Sequence, residues 1–130
     1  AGQYRGGLGQ YMDVGAEEGH EFYLQAMFDR LAHPARGRHG GMAAAPTLIA
    51  QDDGTAMRGK GKQFVAHGRV VQMGFPGGAG YGQPEKRSRE AVRRDLAYGY
   101  ITSEQAAENY GLSEAEIAEI LSLARSGADF

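Results

Sequence analysis

Residues 76–84 read PGGAGYGQP, four glycines and two prolines in nine positions, directly after the apolar run Val70 to Phe75. A strand that ends this way hands the chain to a backbone shape few other residues can take. Glycine alone visits positive φ cheaply, and proline fixes φ and donates no hydrogen bond. Such a loop serves either as a tight crossing of chain segments or as a row of amides offered to an anion. The pattern G-x-x-x-x-G-K-[ST] is not present, so no nucleotide P-loop is encoded. If Gly77, Gly78 and Gly80 supply positive φ, a bulky residue at 78 strains the backbone.

With 130 residues, 42% of them hydrophobic, the chain has material for one moderate core. A net charge of −2 gives no electrostatic reason to expect nucleic acid or an anionic membrane as partner. The absence of cysteine excludes disulfides and thiolate chemistry and fits a reducing compartment. No apolar stretch approaches the roughly 18 residues of a membrane span, and no signal-like segment opens the chain, so a cytoplasmic location is expected.

Composition changes near residue 85. Upstream, short apolar runs bounded by Gly, Pro and Asp predict strands at 11–14, 20–28, 47–50, 63–66 and 69–75. Asp52, Asp53 and Gly54 signal a hairpin between 47–51 and 55–58, and His67-Gly68 a turn into the strand at Arg69. A long irregular connection covers 32–46. Downstream the period becomes helical. Ser88 is placed to cap a helix running to about Tyr98, with Val92, Asp95 and Leu96 on one side and Gly99 at its end. Thr102 with Gln105, and Ser113 with Glu116, are capping boxes for two more helices. The fold class is α+β: a β-rich, sandwich- or barrel-like portion over 1–84, then a tail of about three short helices over 85–130.

The last two helices resemble a helix-turn-helix unit, but the residues from 101 on carry six acids (Glu104, Glu108, Glu114, Glu116, Glu119, Asp129) against Arg125 alone. That is the wrong sign for phosphate contact. Arg89 and Arg93, one turn apart, are placed to meet those acids. The histidines His20, His33, His39 and His67 show no metal-ligand spacing, and no G-x-S-x-G elbow is present. Asp29 with Arg30, at the end of an apolar run, reads as an ion pair. Arg58, Lys60 and Lys62 alternate with glycines and read as the solvated face of an edge strand.

YRGGLGQ at 4–10, AMFDR at 26–30, FPGGAGYGQPEKR at 75–87 and AVRRDLAYGYITSEQAAENYGL at 91–112 together resemble the C-terminal part of the hydantoinase B/oxoprolinase family. Arg5, Gly6, Gly7 and Gly9 match its RGG-x-G turn, Asp29 and Arg30 its FDR-like block, and Gly77, Gly78, Gly80, Tyr81 and Gly82 its Gly-rich loop. Asp95, Gly99, Tyr110 and Gly111 match its tail signature, whereas Ala79 stands where glycine is common and 113–130 add an amphipathic helix. These positions are expected to be structural, with no catalytic assignment among them and no metal ligands in this segment. The resemblance implies a fragment of a larger subunit, in keeping with a chain that opens on Ala1 and runs straight into a Gly-rich turn. It further implies ATP-dependent hydrolysis of cyclic amides such as 5-oxoproline or N-methylhydantoin, or carboxylation of ketones such as acetone. In either case ATP and a divalent metal serve the full enzyme, and the partners are the upstream part of the same subunit and a hydantoinase A-type ATP-binding subunit. A non-enzymatic binding or scaffold module is the alternative from a different class.

Overall fold

The computed structural model describes residues 1–128 and 130; Asp129, one of the six acids counted above, lies outside the described residues. Five strands precede three helices: β1 (Gln10–Gly15), β2 (Phe22–Met27), β3 (Leu48–Gln51), β4 (Lys60–Val65), β5 (Val70–Phe75), then α1 (Arg89–Ala97), α2 (Ser103–Tyr110) and α3 (Glu114–Arg125), with a 3₁₀ turn at Pro84–Lys86. The strands form two antiparallel sheets, one of order β1-β5-β3 and one pairing β2 with β4. The fold is therefore α+β, and among the described residues no barrel closes. The expected hairpin after Gln51 is only half formed. Its Asp53-Gly54 turn closes as Gly54 N donates to Gln51 O at 2.9 Å, but residues 55–58 form no strand and the return arm makes a single bridge, Ala50 with Ala56. The chain then leaves for the other sheet, where Lys60–Val65 pairs with Phe22–Met27 and Gly61 sits opposite Ala26 at φ +93°.

The chain divides into two compact units, the first made of 1–6, 36–43 and 79–130, the second of 7–35 and 44–78. In the second, alternation along the strands turns Ile49, Val65, Val71 and Met73 inward with Met57, and Phe22, Leu24, Phe28, Leu31 and Phe75 pack around them. Residues of both sheets thus share one core. In the first unit, Val92, Leu96, Ile101, Ala106, Tyr110, Leu112 and Ile120 form a second core, each large side chain contributing about 1.5–3 kcal/mol.

The helix boundaries fall where the caps predict. Ser88 accepts from Ala91 N; Thr102 with Gln105 and Ser113 with Glu116 close both capping boxes. Gly111 ends α2 in the left-handed region at φ +66°. The basic face of α1 finds the acids of α3, with Arg89 on Glu116 at 2.7 Å and Arg93 on Glu119 at 3.2 Å.

Candidate functional site

The Gly-rich loop lies in a backbone braid within the first unit. Three segments, 1–4, 38–42 and 80–82, exchange main-chain hydrogen bonds. Tyr4 and Tyr81 bond reciprocally (2.9 and 3.0 Å), Gln3 N donates to Gly82 O, and Met42 N donates to Ala1 O. Arg38 N donates to Gly80 O and Gly82 N back to Arg38 O, while Gly80 N reaches Met42 O at 2.9 Å. In the second unit the same loop's Gly78 N donates to Gly7 O at 3.1 Å.

The amides of Gly78, Gly80, Tyr81 and Gly82 therefore donate to backbone carbonyls, the pattern of a crossing of chain segments. The expected reason for the glycines is only partly right. Gly82 takes positive φ (+72°), but Gly77 and Gly80 do not, and Gly78 is not among the positive-φ glycines. What forbids side chains at 77 and 80 is proximity: a Cβ on Gly77 would overlap Gly7 O, and one on Gly80 would overlap Ala1 O. A Cβ on Gly41 would likewise overlap Gly80 O. Gly9 faces the same constraint in the RGG-x-G turn, where a Cβ would press on Phe75 O, whereas around Gly7 itself there is open space.

Beside the braid sits a charged clasp. Asp95, on the buried side of α1 and 2% exposed, receives Arg5 Nε on Oδ2 at 3.0 Å and Arg87 Nη2 on the same oxygen at 2.7 Å. Arg5 Nη1 donates to the carbonyl of Gly6, Arg87 Nη1 to that of Gln3, and the Arg5 guanidinium lies over Tyr100 at 5.3 Å. The Asp95 carbonyl accepts from Tyr100 N, which fixes the chain as it leaves α1. A carboxylate buried this deeply requires its cations. Arg87 Nε is buried with no hydrogen-bond partner among the described residues.

The turn at 38–41 places His39 at φ +51° and Gly40 at φ +89°, closed by Gly41 N on Arg38 O, the geometry of a type I′ turn. The His39 ring lies 4.9 Å from that of Tyr81. All four histidines are exposed, and among the described residues no three His, Asp or Glu side chains converge as a metal site would need. Asp29 does not pair with Arg30. Lys60, brought alongside by the β2–β4 pairing, takes it instead, and hydrogen bonding by that Lys60 ammonium, with its charge, holds the Asp29 carboxyl below the usual range. Lys60 and Lys62 lie exposed on the same face of β4, whereas Arg58 precedes the strand and bonds to Gln63 and Lys62 O. Backbone donation from Ser113, its hydroxyl and then Arg89 lower Glu116 to about 2.

Of the residues the sequence singles out, Arg5, Gly80, Tyr81 and Gly82 come together in the first unit; Gly7, Gly9, Gly77 and Gly78 meet in the second, and Asp29 and Arg30 stand apart near Lys60 and Thr47. Sequence reading missed the parts played by Arg87, by Gly41 and by Gly37, where a Cβ would overlap Gly41 O. The one available signal for the clasp was a charged residue on the apolar side of α1.

Residues 1–84 match the family described as hydantoinase B/oxoprolinase. A protein of Pseudomonas sp. (strain NS671), described as the B-type subunit of a D-/L-hydantoinase, is 40% identical over 53 residues, which is 41% of this chain and 9% of that protein. A nucleotide-free structure of an ATP-dependent acetone carboxylase aligns at 18% identity and a TM-score of 0.46 over 71% of this chain and 18% of the other. The chain thus spans only a small part of the proteins it matches.

Proposed function

The chain belongs to the hydantoinase B/oxoprolinase family, and on that premise we propose that it is the C-terminal part of a hydantoinase-type subunit whose full enzyme opens cyclic amides with hydrolysis of ATP. The other participants in this reading are the upstream part of the same subunit and a hydantoinase A-type ATP-binding subunit, acting in the cytoplasm. The observation that supports it is the family match over 1–84, which takes in the RGG-x-G turn, the Gly-rich loop and all five strands.

Within that enzyme this segment is architectural. Its Gly-rich amides are occupied by carbonyls, and its described donor set does not fit a divalent metal. This reading assigns ATP and metal chemistry to the rest of the full enzyme. What the chain supplies is a braid and a clasp that hold the helical unit together, in service of sites built elsewhere.

The test is phosphate release from ATP by the intact subunit with its ATP-binding partner, in the presence of 5-oxoproline, hydantoins, or a ketone with bicarbonate. Release driven by a cyclic amide, with the ring-opened acid as product, is the expected result. Release driven only by ketone plus bicarbonate moves the protein to the carboxylases, and release by none of them removes the enzymatic reading.

A further inference from the structure

Asp53-Gly54 is the one place in the chain where an aspartate or asparagine precedes glycine; every other aspartate, and Asn109, is followed by a residue with a β-carbon. The pairing has a chemical consequence. A glycine nitrogen has no β-carbon beside it to hinder attack on the preceding side-chain carboxyl. In that reaction the Gly54 nitrogen bonds to Asp53 Cγ, its proton and one carboxyl oxygen leave as water, and a cyclic imide forms. Water then reopens the ring. Breaking the new bond restores aspartate, whereas breaking the original peptide bond leaves isoaspartate, with a main chain one methylene longer.

The turn leaves this pair accessible and then ties up its reacting groups. A Cβ built on Gly54, which sits at φ +85°, would meet nothing within 4 Å. Gly54 N, however, donates to Gln51 O at 2.9 Å, Asp53 Oδ1 accepts from Thr55 N at 2.9 Å, and Asp53 Oδ2 lies 3.1 Å from Arg69 Nη2. The nucleophile and both carboxyl oxygens are thus committed to other partners. Arg69 also stands 3.7 Å from Asp52 Oδ1, and Asp52 is tied to Val70 at the start of β5 by two bonds, N to Val70 O at 2.9 Å and Oδ1 from Val70 N at 3.2 Å. Hydrogen bonding from Thr55, with a smaller part from the Arg69 charge, holds the Asp53 carboxyl below its usual range. An ionised carboxylate must take up a proton before its oxygen can leave as water, so the same contacts slow the ring closure.

We propose that Asp53-Gly54 is a site of isoaspartate formation in this protein and that Arg69 is the residue that keeps it shut in the folded chain. The extra methylene would fall between Gln51 and Thr55, whose bond from Gln51 N to Thr55 O at 2.9 Å ties the return arm to β3. Damage from ageing should therefore begin at the β3 edge of the three-stranded sheet. All the residues involved lie in the second unit, and the proposal holds whether or not the full enzyme opens cyclic amides.

Ageing of the intact protein at neutral pH, with isoaspartate at position 53 followed by mass spectrometry of its peptides, tests both parts. The folded protein should gain isoaspartate there at least about tenfold more slowly than the same chain unfolded in urea. Arg69→Ala should recover severalfold of that difference and Arg69→Lys less of it. Val65→Ala, which weakens the shared core from the other sheet, should leave the folded rate where it is. Equal rates in the folded and unfolded protein would show that the turn does not close the site. An Arg69→Ala rate equal to the wild type, or a Val65→Ala rate that rises as far, takes the guarding role from Arg69. Absence of isoaspartate at 53 even in the unfolded chain overturns the site itself.

Discussion

Each of the two units is held together by different physics. The second buries an apolar core shared by two sheets, and its buried polar side chain is Thr47, whose N–H donates to Arg30 O. The first also has an apolar core, but polar geometry fixes its shape: two capping boxes, a braid of main-chain bonds with no room for side chains, and a buried aspartate held by two arginines. Apolar burial is non-directional and tolerant of conservative exchange, whereas close approaches and buried charges tolerate little. Stability in the first unit should therefore hinge on single atoms, and in the second on core volume, apart from the close approaches at Gly9 and Gly77.

The strongest way to break that contrast is at Asp95. Asp95→Ala leaves two largely buried guanidiniums without their carboxylate and should cost about 3–5 kcal/mol in a denaturant melt; a loss under about 1 kcal/mol would show that the clasp is incidental. Gly80→Ala, which drives a methyl into Ala1 O, should cost about 1–3 kcal/mol, with faster amide exchange in the first unit and unchanged exchange in β2 and β4. Thr102→Ala removes a cap and should cost about 1 kcal/mol. The smallest effect concerns acid. Glu116 titrates at about 2 when folded against an ordinary 4.5, so its contribution is complete above about 4.5 and is lost as the pH falls toward 2. Glu116→Gln should flatten that acid limb in pH-dependent melts, lowering stability slightly above about pH 4.5 and leaving it almost unchanged near pH 2.

How much of this was legible depended on whether the signal was local. Ser88, Thr102, Ser113, Gly99 and Gly111 act on residues a few positions away, and the helix ends fall as read. The strands were legible from alternation, but the 55–58 arm was not refused by any local signal: the chain beyond it pairs with Phe22–Met27, more than thirty positions upstream. Arg5 finds Asp95 across 90 positions, which no spacing rule reports. The Gly-rich loop was correctly marked as special, yet for the wrong reason at Gly77 and Gly80. Positive φ is a property of one residue, whereas a carbonyl pressed against a Cα comes from a distant segment.

The occupation of the Gly-rich amides is the point on which the account turns, and hydrogen exchange of the intact protein measures it residue by residue. Gly80, Tyr81 and Gly82 should exchange slowly, at rates unchanged by ATP or inorganic phosphate, because their donors already hold Met42, Tyr4 and Arg38 carbonyls. Exchange at unprotected rates that slows on adding ATP or phosphate would contradict the account and make the loop an anion cradle.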